Sequence, residues 1–325
     1  MSAIVTRGLA KTYRRKGSRS EEVGAVKRLD ISIKEGECVG FLGPNGAGKT
    51  TSMRMLTTLL RPTAGMAQIA GFDLLSQTKE IRRHIGYVAQ GNGLSPGSSV
   101  AEEMLIQGRL HGLRKKAAQQ RAEELAQAFG FDHLMRRLTK NLSGGERRRV
   151  EIALSLVHSP SILFLDEPTT GLDPQSRANV WEYIRRLHRE DGITVLLTTH
   201  YLDEADALAD RLLIMDGGQI VADGAPDTLK SQVTEDTLTL RVPPELLDDA
   251  VVALSSAPGV ANVSKERDGS VRAKVSSDNA LPDIVHALNE AEVTTTSLHI
   301  QRPTLDEVFS HVTGKPISGN RDAGK

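Results

Sequence analysis

The chain has 325 residues, a length typical of about two domains, and its 39% of hydrophobic residues with 29 glycines is ordinary for a soluble globular protein. Its 41 basic and 41 acidic residues cancel, which argues against a dedicated nucleic-acid binder because such proteins carry a basic excess. A single cysteine, Cys38, excludes an intrachain disulfide and a thiolate metal site, and no apolar run approaches the ~18 residues that cross a bilayer.

Short apolar runs alternate with amphipathic stretches from the N-terminus to about residue 225, the pattern of strands and crossover helices. The N-terminus begins with dense basic residues instead of an apolar signal segment, so we expect a cytosolic chain. Four runs predict buried parallel strands, hydrophobic on both faces: Cys38–Leu42, Ile162–Leu165, Ile193–Thr198 and Leu212–Met215. The helices predicted between them are Thr50–Leu60, Val100–His111, Ala117–Phe129, Arg147–His158, Gln175–Glu190 and Tyr201–Ala209.

Beyond about residue 230 the pattern changes to that of a smaller unit. The order of strand, helix, two strands, helix and strand is that of a ferredoxin-like α+β unit. The predicted elements are Thr237–Val242, Glu245–Ser255, Val260–Glu266, Ser270–Val275, Pro282–Glu290 and Thr294–Ile300. A last helix should begin at Thr304, with Glu307 completing a capping box, before a loose polar tail. The predicted domains are therefore 1–230 and 231–314, followed by the tail 315–325.

A phosphate-binding loop follows the first of these apolar runs and precedes a helical stretch. The loop is Gly43-Pro44-Asn45-Gly46-Ala47-Gly48-Lys49-Thr50, which fits G-x-x-x-x-G-K-[ST] and is followed by Thr51. Glycines let consecutive backbone N–H groups turn toward phosphate oxygens, and the helix dipole adds positive potential. We expect Lys49 to reach the β- and γ-phosphates of a nucleotide and the Thr50 hydroxyl to bind Mg²⁺.

Two carboxylates end the apolar run Ile162–Leu165. Side chains alternate along a strand, so Asp166 and Glu167 point in different directions and can do different work. We expect Asp166 to hold Mg²⁺ through its water shell and Glu167 to act as the general base on the attacking water. Two acidic residues at a strand end can also be solvated or capping groups, but the phosphate loop favours the catalytic interpretation.

The segment Leu142-Ser143-Gly144-Gly145-Glu146 precedes a predicted helix, and Ser143 with Glu146 makes a capping box there. At this point the sequence resembles the nucleotide-binding subunits of ABC transporters, whose signature is L-S-G-G-Q. The resemblance implies that Ser143, Gly144 and Gly145 bind the γ-phosphate held by an opposite subunit. Glu146 departs from the usual glutamine.

The resemblance extends to further motifs in the family's order. It implies that Gln90 senses Mg²⁺ and the membrane partner and that His200 contacts the γ-phosphate. It also implies that Asp173, in Pro168–Asp173, belongs to the loop joining two subunits and that Tyr13 stacks on adenine. Taken singly, each of these residues has an ordinary structural explanation, but five or more matches in order make coincidence implausible.

The resemblance implies an α/β P-loop ATPase of ABC type, with a helical insertion at about residues 91–160 and the small C-terminal unit. ATP and Mg²⁺ are the implied cofactors. The implied partners are a second copy, in a head-to-tail dimer that sandwiches ATP, and separate integral-membrane permease subunits, with no nucleic acid. The implied location is the inner face of the cell membrane, where the chain would lie peripherally.

The C-terminal segment Arg302–Phe309, followed by Thr313-Gly314, is similar to the ending of the daunorubicin-resistance ATP-binding family. That branch implies drug export. Exporters of lipid, polysaccharide or peptide remain alternatives, as does a soluble ABC ATPase acting on the ribosome or nucleic acid. The single phosphate loop and neutral charge balance disfavour the last of these.

Overall fold

The computed structural model describes residues 1–14, 22–91, 93–233, 236–266, 268–275, 280–301 and 303–314. The predicted tail 315–325 and Arg302 of the C-terminal motif lie outside the described residues. The chain divides into two compact units, the first spanning Met1–Pro226 and the second beginning at Asp227. Within the described ranges, no helix combines the length and the apolar character needed to cross a membrane.

The first unit is built on a mixed sheet of eleven described strands flanked by helices. The strands are β1 (Ser2–Arg14), β2 (Glu22–Leu29), β3 (Ser32–Lys34), β4 (Cys38–Leu42), β5 (Ala64–Ile69), β6 (Phe72–Asp73), β7 (Ile85–Val88), β8 (Ile162–Asp166), β9 (Thr194–Thr199), β10 (Arg211–Asp216) and β11 (Gln219–Gly224). The helices are α1 (Lys49–Leu56), α2 (Thr78–His84), α3 (Val100–Leu110), α4 (Lys115–Ala128), α5 (Gly144–Ser155), α6 (Pro174–Arg189) and α7 (Leu202–Leu208). The strand order is β6-β5-β1-β2-β11-β10-β4-β9-β8-β7, with β3 also paired to β1.

The centre of this sheet is parallel, as the sequence predicts for an α/β fold. Strands β10, β4, β9, β8 and β7 are parallel neighbours, and β4, β8 and β9 are buried along their whole length. Successive residues of β8 pack into different cores: Leu163 and Leu165 lie with α3–α5, whereas Ile162 and Phe164 lie with α1. The same alternation carries Asp166 to the α1 face, where the phosphate loop lies.

The sequence prediction is incomplete at the N-terminal side of the sheet. Strand β1 pairs antiparallel with β2, β3 and β5, and β11 returns antiparallel beside β10. Register shifts interrupt the β1 pairings, for example between Leu9 and Lys11, and such irregularities break the alternation of apolar and polar residues. The weakened alternation explains why these strands do not stand out in the sequence.

The second unit is a small α+β fold. After α8 (Pro226–Val233), which spans the boundary between units, its elements are β12 (Asp236–Arg241), α9 (Leu247–Ser256), β13 (Val260–Lys265), β14 (Ser270–Val275), α10 (Ala280–Glu290), β15 (Ser297–Gln301) and α11 (Leu305–Thr313). The described strands form one antiparallel sheet in the order β13-β14-β12-β15, around a core that includes Leu240, Val271 and Ile284. This arrangement confirms the ferredoxin-like prediction, and the Thr304–Glu307 capping box opens α11.

Candidate functional site

The loop from Gly43 to Gly48 joins β4 to α1, and two of its glycines are required by close backbone approaches. A Cβ on Gly43 would lie 2.3 Å from the Met215 carbonyl oxygen, and one on Gly48 would lie 2.6 Å from the Ala25 oxygen. Gly48 caps α1 with a φ of +105°, in the left-handed region that only glycine occupies freely. The loop therefore presents backbone N–H groups at a helix N-terminus, which is an anion site.

The other loop residues differ in exposure. Asn45 and Gly46 are exposed and Ala47 is buried, while Pro44 and Thr51 are half-buried. The loop is thus fixed by buried anchors on its inner side and open on the side that a phosphate group would approach.

Lys49 lies buried over the loop. Its Nζ donates to the carbonyl oxygens of Gly43, at 2.5 Å, and Pro44, at 3.0 Å. Burial lowers the pKa of Lys49, while the carboxylates of Glu167 and Asp166 act in the opposite direction. The ammonium group is therefore held within reach of the loop and of both acidic residues.

Asp166 is fully buried at the end of β8. Its Oδ1 accepts hydrogen bonds from Thr50 Oγ1, at 3.1 Å, and Thr198 Oγ1, at 2.6 Å. Its Oδ2 has no hydrogen-bond partner among the described residues. A carboxylate oxygen without a partner beside a loop hydroxyl fits Mg²⁺, which binds oxygen ligands and typically takes only one or two carboxylates together with phosphate oxygens.

Glu167 is the most highly connected of the predicted catalytic residues. Its Oε2 accepts from Gln90 Nε2, at 2.9 Å, and from Thr170 Oγ1, at 3.1 Å. His200 Nδ1 lies 3.4 Å from its Oε1, and this close approach, against the effect of burial, lowers the pKa of Glu167. Its φ of +48° is left-handed and strained for a residue with a side chain.

The helix α5 begins at the signature segment with Ser143 as its N-cap. The Ser143 side chain accepts from the Glu146 N–H, at 3.3 Å, and Glu146 Oε2 accepts from the Ser143 N–H, at 2.7 Å. This backbone hydrogen bond lowers the pKa of Glu146, and Arg137 lies 3.3 Å from its other oxygen. Glu146 is therefore a capping residue, a role that the family's usual glutamine can also fill.

The signature glycines pack against the start of α6. A Cβ on Gly145 would lie 2.5 Å from Ser176 Oγ, and one on Gly144 would lie 3.3 Å from Leu172. Asp173 is the N-cap of α6 and accepts from the Ser176 N–H at 2.9 Å. Ser143, Gly144 and Asp173 are exposed, so this surface lies open at the front of two helix N-termini.

Tyr13 lies on β1 opposite Val23 of β2. Its side chain is 43% exposed, and Lys11 Nζ lies 5.4 Å from the ring centroid. An exposed aromatic face of this kind can stack on a base.

The predicted residues thus fall into two groups. The structure brings together Lys49, Thr50, Gln90, Asp166, Glu167 and His200 through direct contacts with one another or with the phosphate loop. Within the described residues, no hydrogen bond or ring contact joins Ser143 or Tyr13 to that cluster.

Three buried charged groups beside the site were not found from the sequence: Glu204, Arg148 and Glu151. Glu204 is fully buried, and its Oε1 accepts from Thr169 Oγ1, at 2.8 Å, and Trp181 Nε1, at 3.1 Å; burial raises its pKa. Arg148 of α5 is buried among backbone carbonyls. In the sequence, Glu204 is a charge on an otherwise apolar face of α7, whereas Arg148 stands inside the basic run Arg147–Arg149 and gives no comparable signal.

Two family profiles match the chain. A profile described as ABC transporter matches residues 26–170, and one described as the C-terminal domain of DrrA1-3-like ATP-binding proteins matches residues 224–313. Similar proteins include daunorubicin resistance ATP-binding protein DrrA3 of Streptomyces coeruleorubidus, 41% identical, covering 96% of both chains. Doxorubicin resistance ATP-binding protein DrrA of Mycobacterium tuberculosis is 40% identical over 97% of this chain and 94% of its own. Linearmycin resistance ATP-binding protein LnrL of Bacillus subtilis is 32% identical over 90% and 94%, respectively.

Solved structures of ATP-binding cassettes are similar to about two thirds of the chain. The dimeric post-hydrolysis state of the ATP-binding cassette MJ0796, bound to ADP and Pi, matches with a TM-score of 0.63 at 27% identity, covering 68% of this chain and 98% of that one. The structure of cbiO1 from Clostridium perfringens, part of an ABC transporter complex, matches with a TM-score of 0.63 at 28% identity, covering 70% and 90%.

Proposed function

We propose, from the premise that this chain belongs to the family of ATP-binding proteins of ABC transporters, that it energises the export of drugs or other hydrophobic compounds. The family and the fold establish the chain as an ATPase. The class of exported compound and the permease subunits that transport it are what we propose here.

The observation that carries this proposal is that the similarity extends through both units. Relatives named for resistance to daunorubicin, doxorubicin or linearmycin align over 90% or more of this chain, including the second unit. A match limited to the first unit would support only an ABC ATPase of any kind.

The geometry supports a defined division of labour in ATP hydrolysis. The backbone of the loop Gly43–Gly48 and the Lys49 ammonium would bind the phosphates. Thr50, Gln90 and Asp166 would hold Mg²⁺, which neutralises charge on the β- and γ-phosphate oxygens. Tyr13 would stack on the adenine.

The hydrolytic step needs a base next to the γ-phosphate. Glu167, ionised at neutral pH because its pKa is lowered, would accept a proton from water as the water oxygen bonds to the γ-phosphorus. The bond from that phosphorus to the bridging oxygen breaks, and ADP and phosphate leave. His200, beside Glu167, would contact the γ-phosphate and orient it.

Each complete site would need two chains. The exposed N-terminus of α5 at Ser143 can accept an anion. Within the described residues, Ser143 makes no hydrogen bond with the phosphate loop of its own chain. In a head-to-tail pair, Ser143, Gly144 and Gly145 of one chain would meet ATP held by Lys49 and Thr50 of the other. Asp173 would lie at the same junction.

A groove beside the catalytic cluster would receive the permease. It has a volume of about 220 Å³, and its lining includes Tyr87, Gln90, Gly93, Glu103, Gln107 and Glu151. Since Gln90 also contacts Glu167, a partner seated there would touch the hydrolytic machinery directly. The chain would then lie peripherally on the cytoplasmic face of the membrane.

The test is transport by the intact system. The chain would be expressed with the membrane subunits that co-purify with it, and efflux of a fluorescent anthracycline would be measured from loaded cells. We expect efflux with the native chain and none with Lys49→Ala, which lacks the phosphate-binding charge. ATPase activity that co-purifies with ribosomes and not with a membrane protein would contradict the proposal.

A further inference from the structure

Arg148 occupies an unusual position for an arginine. It lies in the second turn of α5, five residues after the signature serine, and is only 7% exposed. Burying a guanidinium group is costly unless all of its donors are matched. Its partners therefore indicate its role.

All five guanidinium N–H donors have an acceptor within hydrogen-bond distance. Nε donates to the Pro168 carbonyl oxygen at 2.7 Å, and Nη2 donates to the carbonyl oxygens of Asp166, at 3.1 Å, and Glu167, at 3.2 Å. Nη1 donates to the Ala89 carbonyl oxygen and to a carboxylate oxygen of Glu151, both at 3.0 Å. One side chain thus holds three consecutive peptides at the end of β8 and one peptide before Gln90.

Three of these peptides surround the strained residue of the site. Glu167 has a left-handed backbone, which persists only when its surroundings hold it. The carbonyl groups of Asp166, Glu167 and Pro168 all point to Arg148, so the turn cannot relax without breaking these hydrogen bonds. The direction of the Glu167 carboxylate depends on that turn.

Glu151 fixes the arginine from the other side. Its Oε2 accepts from Arg148, and its Oε1 accepts from the Gly93 N–H at 3.1 Å. The two residues lie one helical turn apart on α5. Together they connect α5 to both ends of the segment 89–93, which includes Gln90.

We propose that Arg148, anchored by Glu151, is the positioning residue that sets the geometry of the Gln90–Glu167 pair for hydrolysis. This inference deepens the proposed function, because it rests on Glu167 being the base. None of the five acceptors of Arg148 lies in the phosphate loop, so it governs the hydrolytic step and not nucleotide affinity. Because it lies on the signature helix, it also ties the position of that helix to the carboxylate.

The test is Arg148→Lys in the full-length chain. Lysine keeps the charge but offers three donors from one point, so it cannot span these carbonyl groups. We expect kcat to fall about 10- to 100-fold, as misplaced catalytic groups do, with KM and ATP affinity of the isolated chain unchanged within about twofold. Arg149→Lys is the matched control, because Arg149 donates to the Phe129 and Gly130 carbonyl oxygens, and it should leave kcat within about twofold.

Three outcomes would overturn the inference: a kcat of Arg148→Lys within about twofold of the native value, a parallel loss of ATP affinity, or an equal loss of kcat in Arg149→Lys. If Arg148→Lys does not fold, Glu151→Gln replaces it. Its amide can accept from Arg148 or from Gly93 but not from both, so kcat should fall while KM holds; an unchanged kcat would overturn the inference. Glu167→Gln is measured in parallel: full activity there refutes the base itself, whereas an inactive Glu167→Gln with a fully active Arg148→Lys refutes only the positioning role.

Discussion

The two units of the chain differ in the charged and polar side chains that they bury. In the described part of the first unit six charged side chains are buried: Lys49, Arg148, Glu151, Asp166, Glu167 and Glu204. In the described part of the second unit the one buried polar side chain is Ser270, whose hydroxyl donates to Asp268 at 2.7 Å. The rest of that unit's core is apolar.

This difference indicates which of the two units carries the chemistry. Buried charges cost stability unless they are matched, and groups held in this way are typical of functional sites. The first unit therefore carries the reaction. The described core of the second unit buries no charged side chain, so we expect its contribution to come from its surface.

The largest effect should come from Glu167→Gln. The amide keeps the size of the side chain but cannot take the proton of water, so we expect turnover to fall about 10²- to 10⁴-fold. ATP binding should remain, and a two-chain ATP-bound species should accumulate. Phosphate release and size-exclusion chromatography with ATP measure both. Glu182→Gln, an exposed glutamate on α6, is the control, and a Glu167→Gln protein that stays monomeric with ATP would contradict the composite site.

A second prediction compares a capping box of the first unit, Ser143–Glu146, with one of the second unit, Thr304–Glu307. Ser143→Arg should block hydrolysis because the arginine side chain fills the junction between chains. The ATP affinity of the isolated chain should stay within about twofold, because Ser143 makes no hydrogen bond with its own phosphate loop among the described residues. Thr304→Arg removes the corresponding cap of α11, a loss of about 1 kcal/mol, and should leave hydrolysis intact.

Mixing Ser143→Arg with Lys49→Ala sharpens this experiment. Each mixed pair then has one site with both elements missing and one site with both intact, so partial activity should return. Full activity of Ser143→Arg alone would refute the role of the signature segment.

Removing residues 232–325 tests whether the second unit acts through its surface. We expect unchanged ATP affinity, because the proposed nucleotide residues lie upstream, and a dimer dissociation constant raised about tenfold, equivalent to about 1.4 kcal/mol. Analytical ultracentrifugation with ATP, in the Glu167→Gln background, gives the constant. Equal constants for the full and shortened chains would leave the second unit without a role in dimerisation.

The last prediction concerns pH. His158 stacks on His111 with ring centroids 3.7 Å apart, and burial lowers the pKa of His158 to about 4. The unfolded chain takes up a proton near pH 6.5, before the folded chain does, so stability should fall as pH drops from about 6.5 toward 4, by at most about 1.4 kcal/mol per pH unit. His158→Gln should remove this part of the pH dependence.

Fluorescence of Trp181, the one tryptophan of the chain, follows thermal unfolding of the first unit at pH 7 and pH 5. His286→Gln is the control from the second unit, since the side chain of His286 is 75% exposed. Equal pH dependence in the native chain and His158→Gln would contradict the effect of burial.

The sequence predicts the fold where the physical signal is local. The buried runs of β4 and β8, and the alternating order of the second unit, depend on neighbouring residues and were predicted correctly. Strand β1 was missed because its register shifts interrupt the period-two pattern, and its partners β2 and β5 are recognisable only from pairing between distant segments.

The same limit applies to the site. The phosphate loop is contiguous, so the spacing of its residues in the sequence indicates its geometry. Glu146 likewise belongs to a local motif, a capping box of four consecutive residues. Arg148 could not be found in this way, because four of its five acceptors are backbone carbonyl oxygens, which every residue type presents. Glu204 could not be found either, because its hydrogen-bond partners Trp181 and Thr169 lie next to it only in the folded chain.

Cys38 gives the molecule a practical property. It is the one cysteine of the chain, its side chain is fully buried in β4, and burial raises the pKa of its thiol. Because thiolates are the reactive form, the native chain should be nearly inert to maleimides and spin labels. The native chain therefore needs no cysteine removed before site-directed labelling. A cysteine introduced at an exposed site of either unit would be the only residue to take the label, and it would report distances between two chains as ATP binds.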